Sequence, residues 1–367
     1  MQTKKIAIIC ATKYQVLNCL NYVLNQKEFD NVEYYLFMNN DQIGQFYGKL
    51  HQSKLFTQIY RYSTKKGEGG MKGVFWHIVK CVFPMRYLKH CLIERFVEKK
   101  FDLLMCATLA GIASSFALSF PEIGVFLYED GTGSYFGSTV TNMSEKEQKL
   151  YKLFGKDINR CLHPERLYIN NKQFCKNTDC AEVIELPHLQ DTVRAHKDIF
   201  EAIFGREKNK YNELRLVYLS QPFSGYEGLD SPVSREIMEI LKKYPFAYRP
   251  HPREKKVYEE AAYVDRPDKQ NSWELICSES IGDDHILIGR CSTAQIVPKL
   301  LFNKEPYLIF TNHLFEKETG GNTYRVMDEM CADIKSKYSK PDKVFIVDRL
   351  EQIEEILKDI DSNCLER

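Results

Sequence analysis

Short runs of apolar residues alternate along the chain with longer stretches in which apolar residues recur every three or four positions. The runs are typical of buried strands, and the longer stretches are typical of amphipathic helices. In the first part of the chain the runs predict strands at 6–10, 32–38, 55–62, 101–106 and 125–128. Residues 14–25 have the helical spacing. Strands that alternate with helices predict crossover connections and a mainly parallel sheet.

The alternation weakens from residue 143 to residue 210 and then begins again. The second block predicts strands at 214–219, 246–249, 286–288, 307–310 and 344–347, and helices at 231–243, from 293 onward and at 351–360. A charged connector at 203–213 separates the blocks. We therefore expect two Rossmann-like α/β domains, at 1–200 and 210–367. Open parallel sheets bind ligands beyond the carboxyl ends of their strands, so two facing domains would line one cleft.

The composition excludes some classes of partner and location. Hydrophobic residues make up 44 % of the 367 residues, which is enough to build sizeable cores. The net charge of +1 gives no reason to expect nucleic acid as a partner. Twelve cysteines without a C-x-x-C pair are typical of reduced thiols. The apolar run at 6–10 is too short for a secretory signal or a membrane span, so we expect a cytoplasmic protein.

An acid pair follows the predicted strand at 125–128. Glu129 and Asp130 precede a Gly131-Thr-Gly133 turn. Consecutive strand residues point to opposite faces, so one acid can reach a ligand while the other braces the turn. A carboxylate at the end of a strand is well placed to act as a general base, and Gly131 permits a close approach of the ligand. The alternative is structural, with Asp130 capping a turn and Glu129 solvated.

Two further motifs follow strands of the second block. In Arg249-Pro-His251-Pro252-Arg253, the prolines hold a histidine on a rigid corner between two arginines, which favours an anionic ligand. Ser292 and Thr293 open a predicted helix, whose first N–H groups and dipole attract phosphate. The alternatives are a structural histidine and an ordinary helix cap at Ser292.

The three motifs, in this order, resemble the signatures of bacterial sialyltransferases. The opening segment at 10–18 is also similar to the start of glycosyltransferase family 52, which contains lipooligosaccharide and capsule sialyltransferases. The resemblance covers roughly residues 5–300. It implies a GT-B fold, with the nucleotide held by the C-terminal domain and the acceptor by the N-terminal domain.

The resemblance also implies roles for individual residues. The base would be Glu129 or Asp130. The region upstream of His251 offers a second acid, Glu227 or Asp230, of which Asp230 ranks next. The phosphate of CMP would be met by His251, as general acid or electrostatic stabiliser. The remaining binding residues fall into four groups: Ser292 and Thr293 at the phosphate, Arg249 and Pro252 at cytosine, Glu274 at the ribose or base, and Thr12 and Gln15 at the donor sugar or acceptor.

The implied reaction moves sialic acid from CMP-sialic acid to a galactose-terminated oligosaccharide or glycolipid. It would invert the anomeric carbon and give an α-2,3 linkage, without a cofactor or metal. The only D-x-D sequence, Asp359-Ile-Asp361, lies in the last predicted helix. A homodimer is also implied. The alternatives are a hexosyltransferase that uses a nucleotide-diphosphate sugar and a non-catalytic module that binds nucleotides or sugars.

One segment suggests a separate hypothesis. Residues 61–100 contain ten Lys and Arg against three acids, with aromatic residues between them. Such a stretch can lie on an anionic membrane as a peripheral contact. The alternative, slightly favoured from the sequence, is a solvated helix pair with one apolar face.

Overall fold

Two units, Met1–Phe204 and Gly205–Arg367, make up the chain. The structure is a computed structural model that describes residues 3–65, 70–97, 100–136, 143–176, 180–205, 209–222, 228–266, 272–316 and 324–365. Each unit is built on one parallel sheet. Within the described residues, no helix combines the length and the apolar character needed to cross a bilayer.

The first unit contains a seven-stranded sheet in which every pairing is parallel. Its strands are β1 (Lys4–Cys10), β2 (Val32–Asn39), β3 (Gln58–Tyr62), β4 (Leu103–Cys106), β5 (Gly124–Tyr128), β6 (Arg166–Ile169) and β7 (Glu182–Glu185). Their spatial order is β3-β2-β1-β4-β5-β6-β7. Every residue of β4 is buried, as expected for a central strand of a parallel sheet that is covered on both faces.

Helices and short helical turns connect these strands. They are α1 (Lys13–Asn25), α2 (Asn40–Ile43), α3 (Tyr47–Gln52), α4 (Gly70–Val82), α5 (Pro84–Cys91), α6 (Ile112–Ser119), α7 (Thr132–Phe136), α8 (Glu145–Leu153), α9 (Asn159–Leu162), α10 (Leu189–Ala195) and α11 (Lys197–Phe204). An aromatic cluster fills part of the core, with the rings of Phe37 and Phe116 in edge contact at 5.0 Å between centroids. Such pairs stabilise the core beyond the burial of their area.

The second unit contains a six-stranded sheet, again parallel throughout. Its elements are β8 (Leu216–Leu219), α12 (Pro232–Leu241), β9 (Phe246–Arg249), β10 (Tyr263–Val264), α13 (Trp273–Glu279), β11 (Ile286–Gly289), α14 (Thr293–Phe302), β12 (Tyr307–Phe310), α15 (Tyr324–Ser336), β13 (Val344–Ile346) and α16 (Glu351–Leu365). The strand order is β10-β9-β8-β11-β12-β13. Both sheets therefore share the Rossmann order, in which the first strand lies beside the fourth.

The strand order locates the places where a ligand can bind. In the first sheet, β2 and β3 lie on one side of β1 and the later strands lie on the other, so the direction of the connections reverses between β1 and β4. The second sheet reverses in the same way between β8 and β11. At such a reversal the loops diverge and leave a crevice beyond the carboxyl ends of the strands. The loops after β1 and β4, and those after β8 and β11, therefore border the two crevices, and the loops after β5 and β9 leave the same carboxyl edges one strand further out.

The predicted strands and helices are present, and the structure describes three further strands that were not predicted. The missed strands are β6, β7 and β10. Strands β6 and β7 have only four residues each, and the edge strand β7 begins and ends with a glutamate, so neither has a long apolar run. Strand β10 has only two residues, too few for a periodic signal.

Candidate functional site

Glu129 follows β5 and is completely buried, with 0 % of its surface exposed. Its carboxylate accepts hydrogen bonds from the hydroxyls of Tyr14 and Tyr135. Asn170, directly after β6, donates its backbone N–H at 2.7 Å and its side-chain amide at 2.9 Å. Four donors thus converge on one carboxylate. Glu129 thereby ties the end of β5 to α1, α7 and β6.

Burial raises the pKa of Glu129 above its usual value, because the charged form loses its hydration. The hydrogen bonds from the two tyrosines and Asn170 act in the opposite direction. The amide of Asn18 also donates to the backbone oxygen of Glu129 at 3.0 Å, so main chain and side chain are both held. This arrangement holds Glu129 in place at the carboxyl end of β5.

Asp130, the next residue, has the opposite environment and is exposed. Its Oδ1 atom accepts a hydrogen bond of 2.9 Å from the side chain of Gln15, while Oδ2 has no hydrogen-bond donor among the described residues. The backbone N–H of Asp130 donates to Ser134 at 2.8 Å, and Gly131 adopts a positive φ of 85°. The turn therefore fixes the carboxylate while leaving one oxygen accessible.

The surrounding protein still partly desolvates Asp130, although its side chain is exposed. This desolvation raises the pKa of its carboxyl, and the hydrogen bond from Gln15 opposes the rise. A carboxylate with a raised pKa is a stronger base than a fully hydrated one. Asp130 thus combines access to solvent with increased basicity.

Thr12 and Gln15 belong to the loop after β1 and to the first turn of α1. Thr12 caps the helix, since its hydroxyl accepts the N–H of Gln15 at 3.2 Å. The Gln15 side chain accepts the N–H of Ala11 at 2.6 Å and donates to Asp130. Gln15 therefore positions the carboxylate of Asp130 from the neighbouring loop.

His251 lies on the loop after β9 in the second unit and is half-buried. Its Nδ1 atom accepts the backbone N–H of Arg253 at 3.2 Å, which places the proton of the neutral ring on Nε2. Burial and the nearby Arg253 lower the pKa of His251. The ring is therefore neutral at physiological pH and presents an N–H donor.

Glu254 organises this corner and was not predicted from the sequence. Its carboxylate accepts the backbone N–H of His251 at 2.7 Å and the hydroxyl of Ser220 at 2.8 Å. Ser220 directly follows β8, so Glu254 joins the loops of two neighbouring strands. Its position three residues after His251 could have indicated this role, because a side chain at that distance can accept the His251 N–H and close a turn.

Ser292 and Thr293 stand at the start of α14, after β11. The Ser292 hydroxyl accepts the N–H of Gln295 at 3.3 Å and so caps the helix. Gln295 is fully buried, and its amide donates to the backbone oxygens of Leu287 and Ile309 at 3.0 and 2.9 Å. Its oxygen accepts the N–H of Cys291, a residue with a φ of 65°. Gln295 thus repeats in the second unit the bracing that Gln15 provides in the first.

Arg249 and Glu274 lie in more buried surroundings than the loop after β9, in which Pro252 and Arg253 are exposed. The Arg249 side chain is largely buried in an ion pair with Asp265, and its guanidinium lies 5.0 Å from the centre of the Trp273 ring. Glu274 is half-buried in the first turn of α13 and accepts the hydroxyl of Ser272. The indole of Trp273 donates to the backbone oxygen of Ala294 at 2.6 Å and joins the starts of α13 and α14.

Two further predicted residues, Pro252 and Asp230, are exposed. Pro252 lies beside His251 on the surface. Asp230 ends a short 3-10 helix before α12 and pairs with Lys256 at 2.5 Å. Glu227 lies outside the described residues. The structure thus gathers Ser292, Thr293 and His251 at the carboxyl edge of the second sheet, and Thr12, Gln15, Asp130 and Gly131 at that of the first.

No protein-family model matches the sequence, and a search among curated proteins gives no match. Among solved structures, the glycotransferase of kitacinnamycin is similar, with 9 % identity over 98 % of this chain and 91 % of that chain, and a TM-score of 0.53. A putative UDP-N-acetylglucosamine 2-epimerase from Listeria monocytogenes covers 94 % of this chain and 91 % of its own, with 10 % identity and a TM-score of 0.46. The first likeness concerns the fold alone. The predicted GT-B fold of two Rossmann-like domains is confirmed.

Proposed function

We propose that the chain is a glycosyltransferase that moves sialic acid from CMP-sialic acid to a galactose-terminated acceptor. The observation that carries this proposal is the position of His251 and Ser292 at the carboxyl edge of the second sheet. They follow β9 and β11, the two strands on either side of β8, where the strand order reverses. Neighbouring strands lie about 4.8 Å apart, so the loops after β9 and β11 leave the sheet about 10 Å apart. A phosphate group placed beyond the end of β8 can then be reached by side chains from both loops. The resemblance to family 52 adds CMP and sialic acid to this reasoning.

His251 would donate a hydrogen bond from its Nε2–H group to a phosphate oxygen of the donor. Because Nδ1 already accepts the Arg253 N–H, the ring can form this bond without changing its tautomer. Ser292 uses a lone pair to cap α14, which leaves its hydroxyl proton for the same phosphate. The dipole of the ten-residue helix α14 adds a positive potential. These groups meet the charge that grows on CMP as it leaves.

Asp130 would act as the base in this reaction. Its accessible Oδ2 atom takes the proton of the acceptor hydroxyl while the hydroxyl oxygen bonds to the anomeric carbon of sialic acid. The bond from that carbon to the phosphate oxygen breaks, CMP leaves with the electron pair, and the configuration inverts. We assign this role to Asp130 because both Glu129 oxygens already accept hydrogen bonds from the protein. The charges on CMP are met without a metal in this scheme.

Binding of free nucleotides tests the donor part of the proposal. We expect CMP to bind in a calorimetric titration and UDP to bind more weakly. Loss of the hydrogen bond in His251→Ala should weaken CMP binding about tenfold or more, because a bond to a charged group is lost. His163→Ala, which removes an exposed histidine of the first unit, is the control and should bind CMP like the wild type. Tighter binding of UDP than of CMP would contradict the CMP assignment.

The pH dependence tests the two titrating groups. Asp130 must be deprotonated to act as a base, so kcat/KM should rise with pH through the raised pKa of this carboxyl. In this scheme His251 acts in its neutral form, and its pKa is lowered. Its protonation state therefore does not change from about pH 6.5 to about pH 8.5, and no loss of activity is expected over that range. A steady fall of kcat/KM over that range would instead indicate that a protonated His251 is required.

A further inference from the structure

Exposed apolar side chains concentrate on one part of the first unit. Eight large apolar side chains are exposed among the described residues, and six of them lie on α4, at the corner between α4 and α5, or at the end of α8. These six are Val74, Phe75, Ile78, Phe83, Leu153 and Phe154. Single exposed apolar residues are ordinary, whereas a concentration of them marks an interaction surface.

Helix α4 has two distinct faces. Val74, Ile78 and Val82 are spaced four residues apart and therefore form one stripe along the helix. Val74 is 63 % exposed, so the stripe faces away from the core. The other face is buried, with Val79 in the interior and Lys80 paired with Glu147 of α8 at 2.6 Å. The apolar stripe is therefore not the side that holds α4 on the domain.

The stripe leads to a cavity of about 530 Å³ at the start of α5. Its apolar walls include Phe83, Met85 and Leu118, and its polar walls include Arg86, Lys89 and Lys156. No carboxylate is present among the described residues that line it. Three cations around an apolar floor match an anionic amphiphile, whose head carries the negative charge and whose tail is apolar.

The carboxyl end of α8 completes this surface. Gly155 has a φ of 66°, and the N–H of Lys156 donates to the backbone oxygen of Tyr151 at 2.9 Å, so the chain turns back at the end of the helix. This turn presents Lys156 to the cavity and leaves Leu153, 76 % exposed, beside it in the sequence. The cavity cations thus have exposed apolar side chains close to them in the sequence, Phe83 before Arg86 and Leu153 and Phe154 before Lys156.

We propose that the outer stripe of α4, the cavity and the end of α8 form a docking surface for an anionic lipid bilayer. Charge complementarity selects this partner, since Arg86, Lys89 and Lys156 line the cavity and no carboxylate does so among its described lining residues. The apolar side chains enter the boundary between head groups and acyl chains, while Arg86 and Lys156 contact lipid phosphates. No residue of the candidate site belongs to this surface, so the proposal does not rest on the transferase function.

Vesicle flotation of the full chain tests the proposal. The protein should float with vesicles of phosphatidylcholine mixed with phosphatidylglycerol and remain behind with phosphatidylcholine alone. Raising the salt to about 0.5 M should release it, because salt screens the attraction of exposed charges. Reversal of the three cavity cations in Arg86→Glu/Lys89→Glu/Lys156→Glu should weaken binding by about tenfold or more. The pair Ile78→Ser/Phe83→Ser should also weaken it.

Matched controls exclude unspecific effects of charge and hydrophobicity. Lys210→Glu/Lys335→Glu/Lys340→Glu makes the same change of net charge at exposed positions of the second unit, and Ile93→Ser/Val97→Ser removes the other two exposed apolar residues. Both controls should bind vesicles like the wild type, and circular dichroism should show that every variant is folded. Equal flotation with neutral vesicles, or unchanged binding of the triple cavity variant, would overturn the proposal. It would also be overturned by self-association that Ile78→Ser/Phe83→Ser abolishes without any vesicle binding, since a second copy would then cover the surface.

Discussion

Replacement of Asp130 by Asn is expected to lower kcat by about 10²–10⁴-fold, the usual contribution of a general base. The asparagine oxygen can still accept the hydrogen bond that Gln15 donates to Asp130, so the turn should be preserved. An amide cannot take the proton of the acceptor hydroxyl at neutral pH. The loss should therefore appear in kcat with little change in KM, because the group acts in the transition state. Steady-state kinetics with a donor in excess measure both quantities.

The matched control is Asp30→Asn, which removes the same charge from an exposed aspartate of the same unit. It should keep the kcat of the wild type. Melting temperatures of both variants should be close to that of the wild type, which separates loss of chemistry from loss of fold. An Asp130→Asn protein with wild-type kcat would rule out Asp130 as the base.

Replacement of Glu129 by Ala is expected to destabilise the first unit by about 3–4 kcal/mol. The change removes the acceptor of four hydrogen bonds around a completely buried side chain, so the hydroxyls of Tyr14 and Tyr135 and two N–H groups of Asn170 lose this acceptor. Glu129→Gln keeps one oxygen as an acceptor and should lose less. Urea unfolding followed by circular dichroism measures the free energy of unfolding.

The control for this prediction is Glu185→Ala, at an exposed position at the end of β7, which should leave stability nearly unchanged. If Glu129 were the base, Glu129→Gln would abolish transfer while the free energy of unfolding stayed at the wild-type value. The two variants therefore distinguish a structural glutamate from a catalytic one.

The sequence predicts much of the first site, but it does not predict which of the two acids is buried and which is accessible. Side-chain alternation along a strand predicts that Glu129 and Asp130 have different environments, and the structure shows one buried and the other exposed. Which of them is buried depends on Tyr14, Tyr135 and Asn170. These residues come from three elements far apart in the chain, and one of them follows β6, a strand of only four residues that was not predicted.

In the second unit, the sequence likewise does not show whether a charged residue faces a ligand or pairs inside the protein. The arginine beside His251 suggests an anionic ligand, yet Arg249 pairs with Asp265 inside the protein. Asp265 directly follows β10, a two-residue strand that the sequence does not reveal. A charge in a motif therefore predicts that a partner exists, but only the fold decides whether that partner is a ligand or another residue.

Mass spectrometry of products tests the central claim most directly, namely that a CMP-linked sialic acid is the donor. The purified chain is incubated with lactose and CMP-sialic acid, and separately with lactose and UDP-linked hexoses. Formation of sialyl-lactose in the first mixture, and its loss in the Asp130→Asn variant, is the predicted result. A hexosylated product from a UDP-sugar, with no sialyl-lactose from CMP-sialic acid, would contradict it.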